Sequence, residues 1–265
     1  NKFSWDVSLN FSRNISNAVN LGQNAAGQPI EFLNLDESRI RRERIRHIVG
    51  QPLGMIAGFK HRTNAAGVPM YTPEGYPIPT AAYETIAEGR HPIAGGLTNT
   101  LRYGNFNMSF LLDLRYGGHV VSGTNYFAHA NGLHQATLVG RDGELKVSGV
   151  LADGETPINV NVAKDKIDDY WVRYAQITEN LVYDASYLKL REFSFGYTFP
   201  RKALESTPFE SLSLSIVGRN LALLWSKVPN HDPESGYTVS GNAQGLEFFA
   251  MPQTRSVGLN LSVNF

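Results

Sequence analysis

Regular alternation of apolar and polar residues is the dominant feature of this chain. In five segments, large apolar side chains at every second position are separated mainly by Ser, Asn, Thr and Gly. The segments are 3–11, 106–116, 193–199, 212–216 and 257–265. Because successive side chains of a β-strand point to opposite faces, each segment predicts a strand with one apolar and one polar face. The chain is therefore predicted to be all-β.

Two-faced strands of this kind occur both in soluble β-sandwiches and in transmembrane antiparallel β-barrels. The longer segments reach about ten residues, the length that a tilted strand needs to cross a bilayer. Their polar face is built from small uncharged residues, and charged residues make up only 18% of the chain. A soluble surface usually carries more Lys and Glu. Both details favour a membrane barrel over a soluble sugar-binding sandwich.

Connections of two lengths support the barrel. Turns are very short at 12–14 and near Gly104, and connection 200–209 is modest, with a helical turn predicted over 201–206. By contrast, connections 63–95, 117–185 and 225–251 are long. Bacterial barrels have short periplasmic turns and long extracellular loops.

The number of strands follows if the short turns are periplasmic. Strand 15–22 then runs outward and strand 96–103 runs inward, so two more strands are predicted between them, at 43–49 and 53–62. The total is about nine, whereas complete single-chain bacterial barrels have an even number of strands. Together with the first residue, Asn1, this predicts that residues 1–265 are a fragment of a larger barrel.

Composition argues against several other classes of protein. Lys and Arg total 24, as do Asp and Glu, so the net charge is zero, which argues against a nucleic-acid partner. Cysteine is absent, which excludes disulfides, thiolate metal sites and a Cys nucleophile. The sequence lacks the motifs of serine hydrolases, zinc proteases and P-loop proteins. We therefore predict neither an enzyme nor a bound cofactor.

Other chemistry-bearing residues have simpler interpretations. His129 and His134 lie in a loop rich in Gly and Asn, where unliganded histidines are the default. Asp168 and Asp169 are adjacent, so they do not form a neighbouring pair on a strand or a helix. The Arg-rich segment 39–47 could bind lipopolysaccharide phosphates, but a solvated loop is the favoured interpretation.

Motifs spread over the chain match a known pattern. Downstream they are Val182–Glu192, Gly196-Tyr197, Pro200, Gly218–Leu221, Asp232-Pro233-Glu234, Pro252 and Phe265. Upstream they are Trp5, Asn10-Phe11-Ser12, Asn14, Gly50–Gly54 and Arg141-Asp142-Gly143 leading to Asn159. These motifs resemble the C-terminal part of SusC/RagA-type TonB-linked outer-membrane transporters, and the block 183–191 is the most specific. Taken alone, Asp232-Pro233-Glu234 predicts a turn.

The resemblance implies a location and a set of partners. The full protein would be a 22-stranded, plugged barrel in the bacterial outer membrane, surrounded by lipid and lipopolysaccharide. It would import oligosaccharides or peptides beneath a SusD-like surface lipoprotein, driven by TonB-ExbB-ExbD through an N-terminal part that this chain lacks. The segments 68–79 and 87–92 lack the Asp cluster of a calcium loop that members often carry. The alternative is a structural or adhesive barrel protein that does not transport.

Candidate site residues follow from the same pattern. Aromatic residues in the predicted loops are candidate contacts for substrate or for the lid lipoprotein, because sugars and peptides pack against aromatic rings. They are Tyr126, Phe127, Tyr170, Trp171, Tyr174 and Tyr237. Trp225 is better explained as part of an interfacial aromatic girdle.

The strand 106–116 also predicts which residues face lipid and which face the lumen. The residues predicted to face lipid are Phe106, Met108, Phe110, Leu112 and Leu114. Those predicted to face the lumen are Asn107, Ser109, Asp113 and Arg115. The terminal Phe265 is predicted to be an assembly signal by resemblance, with a girdle aromatic as the alternative.

Overall fold

A computed structural model describes residues 3–35, 40, 42–236 and 244–265. Within these ranges it contains fifteen strands, two α-helices and four short 3-10 helices. The strands are β1 (Phe3–Arg13), β2 (Phe32–Asn34), β3 (Glu43–Ile48), β4 (Met55–Gly58), β5 (Glu84–Glu88), β6 (Ile93–Tyr103), β7 (Phe106–Tyr116), β8 (His119–Ser122), β9 (Leu145–Val150), β10 (Pro157–Val162), β11 (Val182–Asp184), β12 (Tyr187–Thr198), β13 (Ser211–Ser226), β14 (Leu246–Glu247) and β15 (Ser256–Asn264). The helices are α1 (Gly123–Ala130) and α2 (Ile167–Ala175), and the 3-10 helices are Gln135–Leu138, Lys164–Lys166, Thr178–Leu181 and Arg201–Ala203.

The main sheet has six antiparallel strands in the order β1-β6-β7-β12-β13-β15. At one end, which we call the turn end, Gly104 with φ of 57° closes a two-residue hairpin between β6 and β7. A 3-10 turn at Arg201–Ala203 lies in the second short connection, where a helical turn was predicted. The opposite end, the loop end, carries three long loops: the first (14–92), the second (117–186) and the third (227–255).

The predicted total of about nine barrel strands is wrong, because six strands form this sheet. Arg13 at the end of β1 pairs with Ile93 at the start of β6, so no further strand of this sheet lies between them. The segment 12–14 therefore begins a long loop and is not a short turn. The predicted strands 43–49 and 53–62 correspond to β3 and β4, which pair with each other in a separate four-stranded sheet. Segment 15–22 forms no strand.

The two faces of the sheet differ as the alternation predicts. On one face, apolar side chains continue from strand to strand, as in the neighbouring pairs Leu97–Leu112 and Ile216–Leu259. On the other face, Ser, Thr and Asn predominate, as in the pair Thr100–Ser109. The apolar face is open to its surroundings, with Leu259 75% exposed. A sheet with one continuous exposed apolar face and one polar face is the wall of a membrane barrel, so the predicted fold class is confirmed.

The three long loops fold together into one assembly. Its first core combines Ile45 and Ile56 of the first loop, Val121 and Leu181 of the second, and Leu246 of the third. In the middle of this assembly, β8 pairs with β11 on one side and with β14 on the other. Because each loop supplies part of one buried core, the loops stabilise one another.

The helices complete the loop assembly. Ser122 accepts a hydrogen bond from the backbone N–H of Asn125 and caps α1. The buried Glu247 accepts bonds from the hydroxyls of Ser122 at 2.7 Å and Thr124 at 2.5 Å. Helix α2 buries Ile167 and Trp171 in a second core with strands β9 and β10. No helix in the described ranges is long and apolar enough to cross a membrane.

Candidate functional site

A cluster of ionic side chains joins the third loop to the polar face of the sheet. Lys189 of β12 is only 4% exposed, and it pairs across the sheet with Asp113 of β7. Its Nζ lies 2.6 and 2.9 Å from the carboxylate oxygens of Asp232 and 2.6 Å from Oε2 of Glu234. The ammonium group is therefore shared by two carboxylates of the loop.

Arg191 extends the cluster across three strands. It forms an ion pair with Asp113 of β7, and it donates to both carboxylate oxygens of Glu234 at 2.7 and 2.9 Å. It also donates to Oδ1 of Asn220 at 2.9 Å. The pairing of β12 with its neighbours shifts between Leu190 and Glu192, which leaves Arg191 as the extra residue of a β-bulge. Bulges re-aim side chains in this way.

Asn220 lies in β13, directly opposite this bulge. Its φ of 51° lies in the left-handed region, which Asn tolerates better than most residues. This explains the Gly218–Leu221 motif in physical terms, since the side chain of Asn220 holds the Arg191 guanidinium.

Glu234 is the centre of the cluster. Besides Lys189 and Arg191, the phenol of Tyr187 donates to its Oε1 at 2.7 Å. Burial alone would raise the pKa of Glu234, but the hydrogen bonds from Arg191, Lys189 and Tyr187 outweigh burial and lower that pKa to about 2. Glu234 is therefore charged over the whole physiological pH range.

A cleft of about 440 Å³ opens beside this cluster, where all three loops meet the sheet. Its lining residues are Gly89, Arg90, His91, Arg115, His119, Val120, Ala185, Tyr187, Pro233, Glu234, Ser235, Gly236, Gln244, Gly245 and Leu246. The imidazole Nδ1 of His91 lies 2.7 Å from the carbonyl oxygen of Gly117. Burial lowers the pKa of His91, so its ring is neutral at neutral pH.

The four residues predicted to face the lumen share the polar face with this cluster. Asn107 lies against Gly196, where an added Cβ would be 2.7 Å from its Oδ1. Ser109 lies 3.3 Å from the Thr100 hydroxyl. Asp113 joins the ionic cluster, and Arg115 lines the cleft. The direction of this face toward a lumen stays a prediction.

The opposite face carries aromatic residues at both of its ends. At the turn end, the Phe106 ring lies 4.9 Å from Tyr197 and 5.9 Å from Phe195. At the loop end, the Lys227 ammonium lies 5.9 Å from the Tyr116 ring and 5.7 Å from the Trp225 ring. Two aromatic bands that flank an apolar zone are the pattern of interfacial girdles, as interpreted for Trp225.

Three of the predicted contact aromatics lie on helix α2 and serve its packing. Trp171 is buried in the second core of the loop assembly, and its Nε1 donates to the Val139 carbonyl at 3.3 Å. Trp171 therefore serves to pack helix α2 against this core. Tyr170 and Tyr174 are half-buried against the same core, with ring centroids 6.3 Å apart. Burial raises the pKa of Tyr170 to about 12 and raises that of Tyr174.

The other predicted contacts lie near the surface of the assembly. Tyr126 packs against the first core, while Phe127 is 37% exposed and lies 5.5 Å from the Phe249 ring. Phe249 is itself 57% exposed. Tyr237 lies outside the described residues. Contact of these aromatics with a substrate or a lid stays a prediction.

The two loop histidines lie together in a packed environment. The rings of His129 and His134 stack with centroids 3.9 Å apart. Burial lowers the pKa of both imidazoles. Asp168 and Asp169 are exposed on the first turn of α2. In the described part of the chain, no group of three or more His, Asp or Glu side chains is arranged to hold a metal ion.

The Arg-rich segment forms part of β3 and contacts aromatic rings. The guanidinium of Arg46 lies 4.5 Å from the Phe32 ring, and Arg42 lies 5.7 Å from the Phe59 ring. Residues 39 and 41 of this segment lie outside the described ranges. Cation–π contact with rings of the same loop explains these arginines without a ligand.

The terminal Phe265 lies just beyond β15 at the turn end. It is 80% exposed, and its ring contacts Phe209 at a centroid distance of 5.3 Å. This light contact is compatible with a girdle aromatic and with an assembly signal, so both interpretations stay predictions.

The sequence-based prediction missed the ionic cluster. Lys189, Arg191 and Asp113 carried a signal, because they are charged residues toward the loop end of β7 and β12, whose polar positions toward the turn end are only Asn, Ser, Gly and Thr. Asp232 and Glu234 were interpreted only as parts of a turn. Their backbone does turn, since the N–H of Ser235 donates to the Asp232 carbonyl, but their side chains are the partners of the strand cations.

The fold and the site define a class: a segment of an outer-membrane β-barrel with a loop assembly whose third loop is ion-paired to its polar face. No protein-family model matches the chain. A curated relative, TonB-dependent receptor P3 of Formosa agariphila, is 26% identical over 293 residues, covering 99% of this chain and 27% of the relative. The chain therefore spans about a quarter of that relative's length.

Solved structures share the fold. The RagAB peptide importer in its "closed-closed" state has a TM-score of 0.66 and 15% identity, over 100% of this chain and 28% of the importer chain. Its "open-open" state has a TM-score of 0.64 and 14% identity, over 100% and 27% of the two chains. The chain is similar to a barrel segment of a TonB-dependent receptor and of the RagAB importer, and the predicted SusC/RagA resemblance is confirmed. The matched proteins are a receptor and an importer, not enzymes.

Proposed function

We propose that this chain forms the C-terminal part of a 22-stranded, plugged barrel that imports oligosaccharides or peptides. The observation that carries the proposal is the ionic attachment of the third loop to the polar face of the sheet through Lys189 and Arg191. A loop held on the polar face of the sheet is in position to line an entrance to the barrel, which favours transport over adhesion.

The orientation of the wall is part of the proposal. The apolar face, with Phe110 and Leu112, faces lipid, and the polar face, with Ser109 and Asp113, faces the lumen. The turn end lies in the periplasm, and the loop end lies outside, where Tyr116 and Trp225 meet the lipopolysaccharide leaflet. Aromatic residues at both ends of the apolar zone support the assignment of this face to lipid, and the long loops at one end support its position outside.

Two partners complete the proposed importer. A SusD-like lipoprotein covers the loop end, where exposed apolar side chains include Leu133, Phe249 and Met251. TonB-ExbB-ExbD supplies energy through the N-terminal part of the full protein. Exposed apolar patches on an otherwise folded surface are characteristic of protein contacts.

Uptake by cells tests the proposed function. A strain that lacks the full-length receptor is compared with the parent for depletion of defined oligopeptides and oligosaccharides from the medium. Peptides are the first probes, because the RagAB structures that share this fold are of a peptide importer. The proposal expects slower depletion of at least one class in the deletion strain and in a strain without TonB. Equal depletion by all strains, with loss of surface attachment, would instead favour the structural or adhesive function.

A further inference from the structure

The cleft beside the ionic cluster has an unbalanced positive charge. In the ionic cluster, of which Glu234 lines the cleft, the three carboxylates Asp113, Asp232 and Glu234 pair with the cations Lys189 and Arg191. A third cation, the Arg115 guanidinium, lies 3.8 Å from Asp113 and balances that set. Arg90 then adds a fourth cation to the lining, and none of the described carboxylates forms an ion pair with it. The cleft therefore carries one excess positive charge.

Both arginines of the cleft have unused donors. Arg115 contacts Asp113 only through Nε, at a distance longer than a hydrogen bond, and its side chain is 42% exposed. Among the described residues, neither the Arg90 nor the Arg115 guanidinium has a hydrogen-bond acceptor. By contrast, Glu234, the carboxylate in the lining, is already bound by three side chains. A ligand in the cleft would therefore meet donors and not a free carboxylate.

The position of Arg90 is fixed by close backbone packing from all three loops. An added Cβ at Gly54 would lie 3.1 Å from Cδ of Arg90, and one at Gly118 would lie 2.6 Å from its carbonyl oxygen. From the third loop, a Cβ at Gly245 would lie 2.8 Å from Cα of Gly89. The glycines permit this approach, so Arg90 is held in place before any ligand arrives.

We propose that this cleft binds a carboxylate group of the imported substrate through Arg90 and Arg115. Guanidinium groups match the planar carboxylate with paired donors. The single excess charge fits a monoanion, and the volume of about 440 Å³ is in the range of small-ligand pockets. The inference rests on the proposed function, because it assigns the cleft to the substrate of the same transporter. The carboxylate can belong to a peptide or to a uronic acid.

Matched pairs of probes test the proposal on the full-length receptor in cells. One pair is a hexapeptide with a free C-terminal carboxylate and its C-terminal amide; the other is a trigalacturonate and its methyl ester. Depletion of each probe is followed by mass spectrometry, and the rate in the deletion strain is subtracted. We expect the receptor to deplete the carboxylate member of one pair about tenfold faster, the effect of one charge-assisted hydrogen bond. The pair that shows this preference identifies the source of the carboxylate.

Variants assign the preference to the cleft. Arg90→Gln keeps most of the side-chain length, and we expect the receptor that carries it to deplete both members of a probe pair at nearly equal rates. Arg90→Lys keeps the positive charge and is expected to retain part of the preference. Arg115→Gln is the second variant if Arg90→Gln fails to reach the outer membrane. The matched control is Arg102→Gln, on the same polar face at the turn end, in an exposed ion pair with Asp6.

Two results would overturn the proposal, and they differ from failure of the proposed function. One is receptor-dependent depletion without a preference for either carboxylate probe. The other is a preference that persists in the Arg90→Gln and Arg115→Gln receptors. If the deletion strain depletes every probe as fast as its parent, the proposed import function fails, and the assignment of the cleft to its substrate fails with it.

Discussion

Replacement of Glu234 by Gln should release the third loop from the polar face of the sheet. The change preserves the size of the side chain but removes the negative charge that Lys189 and Arg191 share. Lys189 keeps Asp232 as a partner, and Arg191 keeps Asp113. The variant therefore weakens the attachment of the loop without leaving a buried cation unpaired.

The size of the effect follows from the environment of Glu234. A carboxyl whose pKa falls from 4.5 to about 2 is stabilised in its charged form by about 3 kcal/mol. Because the side chain is 20% exposed, solvent screens part of this energy. We therefore expect Glu234→Gln to lose about 2 kcal/mol of the free energy that holds the loop on the sheet. The native pKa lies below the ordinary one, so this stabilisation is complete above pH 4.5 and is lost as the pH falls toward 2.

Amide hydrogen exchange of the full-length receptor in detergent measures the loop directly. The N–H groups of Glu234, Ser235 and Gly236 bond to Asp232 or Glu234 within a turn that the ion pairs of these two side chains hold against the sheet, so we expect the turn to loosen and these groups to exchange when the loop is released. A loss of about 2 kcal/mol makes opening about thirtyfold more frequent. We expect this increase at pH 7 in the peptide that contains residues 232–236, with little change in β7.

A matched control separates local release from general destabilisation. Glu192→Gln removes a carboxylate from β12, the strand that carries Lys189 and Arg191, but its pair with Arg219 is exposed and 3.7 Å long, so we expect it to cost less than about 0.5 kcal/mol of stability. Unchanged exchange over 232–236 in Glu234→Gln would refute the argument. So would an equal increase in both variants.

Further changes test the wall and the loop assembly. Phe110→Lys on the apolar face should cost about 2–4 kcal/mol in denaturant titrations of the receptor in lipid, whereas Ser109→Lys should cost much less; equal costs would contradict the assignment of faces. Deletion of Phe265 should sharply lower outer-membrane levels in immunoblots while barely changing the unfolding of the assembled protein, and the reverse result would favour a girdle role. Hydrogen bonds from Lys227 and Ser186 outweigh burial and lower the pKa of Asp184 to about 2, so protection of β11 should decline between pH 3.8 and 2, and Lys227→Met should weaken this pH dependence to the part that Ser186 supports.

Local sequence patterns predict the wall of the barrel well. The alternation over 106–116 defines β7 to the residue, and it separates Phe110 from Ser109 onto opposite faces. Strand β15 is likewise found within one residue of its prediction. These predictions succeed because a two-residue period depends only on the direction of successive side chains.

Partners that are distant in sequence could not be predicted in this way. The pairing of Arg13 with Ile93 spans a complete folded loop, and nothing in the residues around 12–14 distinguishes its start from a short turn. Ile45 and Ile56 have the same pattern as wall residues, but they are buried in the core of the loop assembly. Lys189 meets Asp232 only after the third loop has folded back, so the ionic cluster depends on tertiary structure.

Because the strand pairing around Val121 joins the three loops, we expect them to evolve together. Its strand, β8, pairs with β11 of the same loop and with β14 of the third loop, and the buried core beside it includes Ile45 of the first. A substitution in one loop therefore alters the fit of the other two. Recombination that exchanged one loop between relatives would break this core, whereas transfer of all three together would preserve it. If the loops form the proposed entrance, new substrate preferences should accordingly arise by exchange of all three loops, with the strands beneath retained.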